Sequence, residues 1–327
     1  MSARLSLALS GGSVILPDTG RIVLLRPPAD LDLDGLPLDR VAAEHGFCPD
    51  HDALSARGVA VSPQQAGPAA AVVVFAARAK ALTLDLLARG FAMVGPGGPL
   101  IVDGAKSEGI DSLLKTLRKV CAVGEVYSKA HGKCFAVTAP AAVPAGWAAV
   151  PGRVDGFVTT AGVFSADGID PGSALLAGHL GAVSGKVCDL GAGWGYLATR
   201  ILASDKVRQV ALVEAEHAAL DCARANVTDA RATFHWADAT TWTGGPFDYV
   251  VTNPPFHTSR KADPALGRAF VQAAARLLSP RGRLLMVANR HLPYEATLAE
   301  VFAESVVRAD VSGYKVIEAT RPKRRQP

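Results

Sequence analysis

Residues 187–198 read VCDLGAGWGYLA and decide the fold of the chain. An apolar, strand-like run ends at Leu190, and glycines follow at positions 191, 193 and 195 before a helix-forming segment begins. Glycines at such a strand-to-helix turn let the backbone pass close to a ligand, because no Cβ stands in the way. The segment therefore predicts a ligand crevice at the carboxyl end of a parallel sheet.

The residues around this turn narrow the class of ligand. Glu214 ends the next predicted strand, QVALVE, where a carboxylate can accept hydrogen bonds from both hydroxyls of a ribose. Tyr196 stands where the dinucleotide fingerprint has its third glycine, and no nearby lysine fits a phosphate-binding loop. A nucleoside cofactor without a pyrophosphate fits better than NAD. For the glycines alone, an ordinary helix-entry turn is the alternative.

Two further polar motifs follow the next two predicted strands. Asp238 comes after ATFHW and would accept from an adenine amino group or, alternatively, stabilise a turn. Asn253-Pro254-Pro255-Phe256 comes after FDYVVT. Because the carboxyl ends of parallel strands meet at one edge of a sheet, we expect Glu214, Asp238 and Asn253 to share one crevice.

The Asn-Pro-Pro-Phe segment is suited to binding a planar amino group. Its prolines fix the backbone, so the Asn253 side chain and a neighbouring carbonyl are expected to offer two acceptors to one NH₂ group. Phe256 would stack on the ring that carries the amine. Accepting both N–H bonds lets the nitrogen pyramidalise and aim its lone pair at an electrophile. No strong base is needed, since the amine becomes acidic as it is alkylated; a simple loop stop is the alternative.

The whole chain shows two α/β units in tandem. Strands alternate with helices on both sides of a Pro- and Ala-rich segment, which indicates parallel sheets. We place the first domain at residues 1–140, a linker at 141–152, which Trp147 packs onto one domain, and the second domain at 153–327. The first domain has no glycine turn, which suggests a duplicated fold with one degenerate copy. The apolar run behind Arg4 is predicted to be a strand.

Composition excludes several classes of protein. Hydrophobic residues make up 49% of the 327 residues, enough to fill packed cores, so wholesale disorder is excluded. The net charge of +4 allows a nucleic-acid partner without demanding one. The sequence has no apolar run of about eighteen residues that would predict a membrane-spanning helix. Five scattered cysteines without a CxxC pair argue against disulfides or a zinc site and indicate the cytoplasm.

The motifs, in their order and spacing, resemble those of class I S-adenosylmethionine-dependent methyltransferases: VCDLGAGWGYLA, LVEAE, WADAT and FDYVVTNPPFH. Asn-Pro-Pro before an aromatic residue is typical of the branch that methylates planar amino groups. GVFSADGIDPGSALL, VANRHLPYEATL and GYKVIEATRP are similar to the ribosomal small-subunit methyltransferase C family, which methylates guanine N2 in 16S ribosomal RNA. The resemblance implies two tandem Rossmann-like α/β domains, with a seven-stranded, mostly parallel sheet in the second and a degenerate N-terminal copy.

The resemblance also implies roles for individual residues. S-adenosylmethionine would be the cofactor, S-adenosylhomocysteine its product, and no metal would take part. The implied cofactor site consists of Phe164, Asp189, Gly191, Gly193, Glu214, Asp238 and Asn253, and the implied base site of Asn253, Pro254 and Phe256. Asp170 would cover the methionine end or cap the following helix. His257 would be a base or a hydrogen-bonded neighbour, and Lys315 would touch RNA or lie idle on the surface.

The expected partner is ribosomal RNA, within a small ribosomal subunit or its assembly intermediate, and the chain is expected to act as a monomer away from membranes. Two groups of basic residues are candidates to neutralise phosphates: a C-terminal tail with Arg321, Lys323, Arg324 and Arg325, and an upstream group with Arg281, Arg283 and Arg290. For the tail, a solvated end is the alternative. The alternatives are a large-subunit rRNA guanine-N2 methyltransferase, a release-factor glutamine-N5 methyltransferase and a catalytically retired RNA-binding module. Intact Gly191, Gly193, Glu214 and Asn253 argue against the last.

Overall fold

The computed structural model describes residues 3–255 and 264–323. The chain divides into two units, residues 1–151 and 152–327, and each unit has its own central sheet. None of the helices within residues 3–255 and 264–323 combines the length and the apolar character of a membrane-spanning segment.

The described part of the first unit contains four α-helices and a seven-stranded sheet. The helices are α1 (Arg4–Ser10), α2 (Cys48–Ala56), α3 (Lys80–Val94) and α4 (Ile110–Leu117). The strands are β1 (Ile22–Leu25), β2 (Val41–Glu44), β3 (Ala60–Ser62), β4 (Ala71–Phe75), β5 (Pro99–Ala105), β6 (Val123–Lys129) and β7 (Gly132–Thr138).

The described part of the second unit contains five α-helices, a two-stranded hairpin and a second seven-stranded sheet. The helices are α5 (Pro171–Ala177), α6 (Tyr196–Leu202), α7 (His217–Asn226), α8 (Pro264–Leu277) and α9 (Glu295–Val301). The hairpin is formed by β8 (Gly152–Val154) and β9 (Phe157–Thr159). The sheet strands are β10 (Gly185–Leu190), β11 (Val207–Glu214), β12 (Ala232–Trp236), β13 (Phe247–Thr252), β14 (Leu278–Asn289), β15 (Phe302–Val311) and β16 (Tyr314–Pro322).

The two large sheets have the same strand order. It is β3-β2-β1-β4-β5-β7-β6 in the first unit and β12-β11-β10-β13-β14-β16-β15 in the second. In each sheet the first five strands pair in parallel and the last two pair antiparallel. The predicted tandem Rossmann-like fold, with a mostly parallel seven-stranded sheet in the second domain, is confirmed.

Helices cover both faces of the central strands. β4 is buried at all five positions and β10 at its last four, as expected for parallel strands inside an α/β layer. Helix α4 shows the matching pattern, because the positions it buries follow the helical repeat: Ile110, Leu113, Leu114 and Leu117. With both faces covered, the ends of the strands are the part of each sheet open to a ligand.

The N-terminal apolar run is a helix, so the prediction of a strand is wrong. Helix α1 buries Leu5 and Ala8, which lie three positions apart on one helical face. The Arg4 guanidinium donates to both carboxylate oxygens of Asp103 on β5, with distances of 2.9 Å from Nε and 2.6 Å from Nη2. This long-range ion pair favours the helix over the strand that the local apolar run predicted.

The first domain has lost the features of the predicted cofactor turn. Arg26-Pro27-Pro28 follows β1, where glycines follow β10 in the second domain. Glu44 ends β2 as Glu214 ends β11, but its carboxylate is paired with Arg89, whose Nη1 lies 2.7 Å from Oε1. The backbone amide of Gln65 donates to the other carboxylate oxygen of Glu44, Oε2, at 2.7 Å. A carboxylate held by an internal guanidinium is poorly placed to accept ribose hydroxyls.

The end of the predicted linker lies on the first unit. The Trp147 ring stacks near Phe91 of α3, with ring centroids 6.2 Å apart, and the Ala149 amide donates to Asp85 Oδ1 at 2.7 Å. Trp147 therefore packs the segment onto the first domain.

Replacing Arg4 by methionine should lower the free energy of unfolding by about 3–5 kcal/mol, because the buried Asp103 carboxylate would lose its cation. Urea denaturation of the full chain measures the change. The Arg4→Met/Asp103→Leu double variant should recover most of the loss, since an apolar pair then replaces the ion pair. Wild-type stability of the single variant would show that the pair does not hold α1 in place.

Candidate active site

The glycine turn after β10 has one position that borders open space. Gly191, Gly193 and Gly195 all have positive φ, at 79°, 55° and 89°, a conformation that other residues rarely adopt. A Cβ on Gly191 would lie 3.0 Å from the Phe270 ring, and one on Gly195 would lie 2.9 Å from Val227. A Cβ on Gly193 would meet no described atom within 4 Å. Gly193 is therefore the point where a ligand can approach the backbone.

Glu214 ties this turn to the neighbouring strand. Its Oε2 accepts from the Gly193 amide at 2.7 Å, and its Oε1 accepts from the Glu216 amide at 2.8 Å. Burial raises the pKa of this carboxyl. A carboxylate oxygen accepts more than one hydrogen bond, so both oxygens can still receive ligand hydroxyls.

Asp189 is a fully buried carboxyl directly before the turn. Its side chain is 0% exposed, and neither oxygen has a hydrogen-bond partner among the described residues. Burial, with a smaller effect from the neighbouring Glu214 charge, raises its pKa to about 7. A buried polar group without a partner is destabilising, so this carboxyl is suited to a ligand that brings donors or positive charge.

Asp238 follows β12 and adjoins the end of β11, where the Ala237 amide donates to the Glu214 carbonyl at 3.0 Å. Its Oδ1 accepts from both the amide and the hydroxyl of Thr240, each at 2.7 Å. Asp238 thus stabilises a turn, which was one of its two predicted roles. This turn uses one carboxylate oxygen, so the second oxygen can still serve a ligand.

Asn253 follows β13 and is held from behind by the start of α5. Its Nδ2 donates to Asp170 Oδ2 at 2.9 Å and to Ser173 Oγ at 2.8 Å. Asp170 is the N-cap of α5, because the same Oδ2 accepts from the Ser173 amide at 2.8 Å. The capping role predicted as one option for Asp170 is therefore present. Oδ1 of Asn253 lies on the opposite side of the amide as an acceptor.

Several predicted site residues line one cleft of the second domain: Phe164, Gly191, Gly193 and Asn253, together with Asp170, Ser173 and Trp194. Glu214 joins this group through Gly193. The Thr252 hydroxyl donates to the Leu190 carbonyl at 2.6 Å and so fixes Asn253 against the turn. Pro254 is buried beside it, whereas Phe256 and His257 lie outside the described residues. Over residues 3–255 and 264–323, no cluster of His, Cys, Asp or Glu could hold a metal ion.

Sequence reasoning missed three residues that support this cleft. Ser173 contacts Asn253, and the Trp194 indole donates to the Phe164 carbonyl at 2.9 Å. Asn226 links the hairpin to the turn, since its Nδ2 donates to the Trp194 carbonyl at 2.8 Å and to the Val158 carbonyl at 2.9 Å. Trp194 lies within the glycine turn itself. A large aromatic residue at this position is the one sequence signal that the turn packs against a neighbouring segment.

Lys315 has neither of its two predicted roles. It is 6% exposed, its Nζ donates to the Leu292 carbonyl at 3.0 Å, and it forms an ion pair with Glu295. Lys315 is therefore an internal structural residue, not an RNA contact or an idle surface lysine.

The predicted basic cluster is partly neutralised by carboxylates of the second domain. The pairs are Arg283 with Glu318, Arg290 with Asp310 and Arg321 with Glu304. Arg324 and Arg325 lie outside the described residues.

Comparison with known proteins gives consistent matches. The family model of the methyltransferase small domain matches residues 155–318. Proteins named ribosomal RNA small subunit methyltransferase C are 31% identical to this chain in Shewanella oneidensis, over 257 residues, and in Shewanella loihica, over 258 residues; each match covers 75% of both chains. The structure of the T. thermophilus 16S rRNA N2 G1207 methyltransferase in complex with AdoMet and guanosine aligns with a TM-score of 0.76 and 27% identity, covering 94% of this chain and 90% of that one.

Asp189→Asn should stabilise the ligand-free protein more at pH 8 than at pH 5. The folded-state pKa of about 7 lies above the ordinary value of 3.8, so between these pH values the folded protein keeps a proton that the unfolded chain has lost. Stability therefore falls as pH rises from about 4 to about 7, and the full penalty remains above that range. Asparagine carries no charge, so the Asp189→Asn variant avoids this loss of stability.

Melting temperatures of both proteins at the two pH values measure this effect. Asp205→Asn is the matched control, because Asp205 is exposed in the same domain and its replacement should change the melting temperature little. Equal gains for Asp189→Asn at both pH values would contradict a buried, uncompensated carboxyl.

Proposed function

We propose that this chain, which belongs to the ribosomal RNA small subunit methyltransferase C family, transfers a methyl group from S-adenosylmethionine to the exocyclic N2 of a guanine in 16S ribosomal RNA. The observation that carries the proposal is the position of Asn253 in the cleft that the glycine turn lines. The cleft thus combines an acceptor for a planar amine with a backbone turn open to a nucleoside.

The cleft and the strand ends beside it, which carry Asp189, Glu214 and Asp238, fit S-adenosylmethionine. The two Glu214 oxygens suit the ribose hydroxyls, and the second oxygen of Asp238 suits the adenine amino group. Asp189 is buried without a partner, and a donor-bearing, cationic methionine end would supply what it lacks. Phe164, 56% exposed at the rim, is available to cover that end.

The bound cofactor supplies an electrophilic methyl group, and the chain's own residues prepare the amine that attacks it. The guanine N2 lone pair is delocalised into the ring, so the free amine is a poor nucleophile. Asn253 Oδ1 and a backbone carbonyl of the Asn-Pro-Pro segment accept the two N–H bonds, which lets the nitrogen pyramidalise. With the cofactor bound, the prepared nitrogen would take the methyl carbon from sulfur in a single displacement and would then lose a proton to solvent.

The target guanine must leave its stack to reach this cleft, and Phe256 is proposed to stack on it. The RNA is proposed to be part of a small ribosomal subunit or its assembly intermediate in the cytoplasm, methylated by a single chain. The guanine would be the equivalent of G1207, the base named for the T. thermophilus relative.

Nucleoside mass spectrometry tests the function directly. Small-subunit RNA from a strain lacking this gene should lack one N2-methylguanine, and the purified protein with S-adenosylmethionine should restore it. Methylation of large-subunit RNA or of a release-factor glutamine would identify one of the alternative enzymes. RNA binding without methyl transfer would indicate the retired module.

Asn253→Ala should lower the single-turnover rate by about 10²–10³, by analogy with the loss of one preorganised hydrogen-bond partner of a transition state. The Asn253 side-chain carbonyl acts as positive charge develops on the guanine nitrogen. Its loss should therefore change the rate of methyl transfer more than the affinity for S-adenosylmethionine. Rapid-quench methylation and calorimetry measure the two quantities. A wild-type rate in this variant would contradict the amine-orienting mechanism.

Gly193→Ala should weaken S-adenosylmethionine binding, because its Cβ would enter the open space where the ligand approaches. Gly156→Ala is the matched control, since Gly156 also has a positive φ and no described atom within 4 Å of a Cβ. Both variants should suffer similar backbone strain, of about 1–2 kcal/mol. Calorimetry should show weaker S-adenosylmethionine binding for Gly193→Ala than for Gly156→Ala. Equal affinities would show that Gly193 does not face the ligand.

A further inference from the structure

The side chain of Asn253 is held by two groups from a segment 80 or more positions earlier in the chain. Both Nδ2 hydrogens are donated into α5, one to Asp170 and one to Ser173, at 2.9 Å and 2.8 Å. We propose that Asp170 and Ser173 are positioning residues, which fix the orientation of the Asn253 amide and polarise its carbonyl toward the substrate amine. This inference rests on the proposed function.

The orientation matters because an amide has two nearly isosteric ends. Rotation by half a turn about the Cβ–Cγ bond would exchange Oδ1 with Nδ2, and this torsion is broad and roughly two-fold. In the wrong orientation Asn253 would present an NH₂ group to the NH₂ group of guanine, with donors facing donors. An ionised carboxylate only accepts, so Asp170 allows only the orientation with Nδ2 toward itself.

Ser173 supports this choice without enforcing it. Its hydroxyl can donate or accept, so it would tolerate either end of the Asn253 amide. In the arrangement that Asp170 selects, Ser173 Oγ accepts the second Nδ2 hydrogen. Asp170 should therefore matter more than Ser173 for the rate of methyl transfer.

The charge of Asp170 adds an electronic effect. Asp170 is 9% exposed, so little water screens its interaction with the amide. A hydrogen bond from Nδ2 to a carboxylate draws electron density toward Oδ1, because linked hydrogen bonds polarise one another. A more negative Oδ1 favours the transition state, in which the guanine nitrogen becomes positively charged.

Asp170 is itself held in place by the surrounding backbone and ring. Its Oδ2 accepts from the Ser173 amide at 2.8 Å, which anchors the carboxylate on the first turn of α5. The Tyr314 ring packs against the same turn, since a Cβ on Gly172 would lie 3.0 Å from both Tyr314 Cε1 and Asp170 Oδ2. An anchored carboxylate can impose an orientation on its partner, whereas a freely rotating one cannot.

A helix cap alone would also explain the Asp170–Ser173 contact, so the test must separate capping from positioning. Asp170→Ser is the informative variant, because serine caps helices about as well as aspartate but is shorter and uncharged. Asp170→Asn keeps the size and the cap, but it removes the charge and replaces one acceptor oxygen by a donor NH₂ group. Ala174→Gly is the control, since it weakens α5 on its exposed face and is not a residue of the cleft.

The experiment is a double-mutant cycle on the full-length chain, read as single-turnover methylation of ribosomal RNA at saturating S-adenosylmethionine. Asp170→Ser should lower the rate by about 10–100-fold, by analogy with the loss of a partner that orients a metal ligand. Asp170→Asn should also methylate slowly, and Ser173→Ala should lower the methylation rate less than either Asp170 variant. Affinity for S-adenosylmethionine should change by less than about 2-fold, and Ala174→Gly should keep the wild-type rate with a lower melting temperature.

The decisive comparison is made in the Asn253→Ala background. There Asp170→Ser should change the remaining rate by less than about 2-fold, because the amide it orients is absent. An equal loss in both backgrounds, or a wild-type rate for folded Asp170→Ser and Asp170→Asn, would overturn the positioning role alone. If the wild-type chain transfers no methyl group to guanine N2, the proposed function fails, and the positioning proposal fails with it.

Discussion

Parallel pairing of β10 with β11 on one side and with β13 on the other is the constraint on which the cleft depends. Parallel strands end at the same edge of a sheet, so three loops that are far apart in the chain must meet there. The glycine turn directly follows β10, Glu214 is the last residue of β11, and Asn253 directly follows β13. Hydrogen bonds from Gly193 to Glu214 and from Thr252 to the Leu190 carbonyl then lock the three loops together.

The first domain shows that this architecture persists without the site. Its sheet has the same strand order, yet proline follows where glycine would be needed, and Arg89 occupies the carboxylate of Glu44. The sheet depends on buried apolar strands, whereas the crevice depends on a few residues at strand ends. Those few residues can therefore change while the core of the fold stays intact.

The two domains also differ in how their buried carboxyl groups are partnered. Asp103 in the first domain is satisfied by the Arg4 guanidinium, which makes the pair part of the packing. Asp189 in the second domain is buried without a partner, and burial raises its pKa to about 7. Such a group lowers stability in the free protein and leaves binding capacity for a ligand. The first domain therefore neutralises its buried carboxyl internally, whereas the second leaves one without an internal partner.

Local sequence patterns are enough to predict the alternation of strands and helices, the two-domain plan, the glycine turn and the polar residues at the strand ends. These features depend on local apolar periodicity and on the conformational limits of glycine and proline, which neighbouring residues encode. Three features follow only from the tertiary structure: residues 4–10 form a helix, Lys315 is internal, and Asp170 accepts a hydrogen bond from Asn253, which lies 83 positions away in the chain. Side-chain partners of this kind depend on which surfaces the packed sheet brings together, and no local pattern in the sequence carries that information.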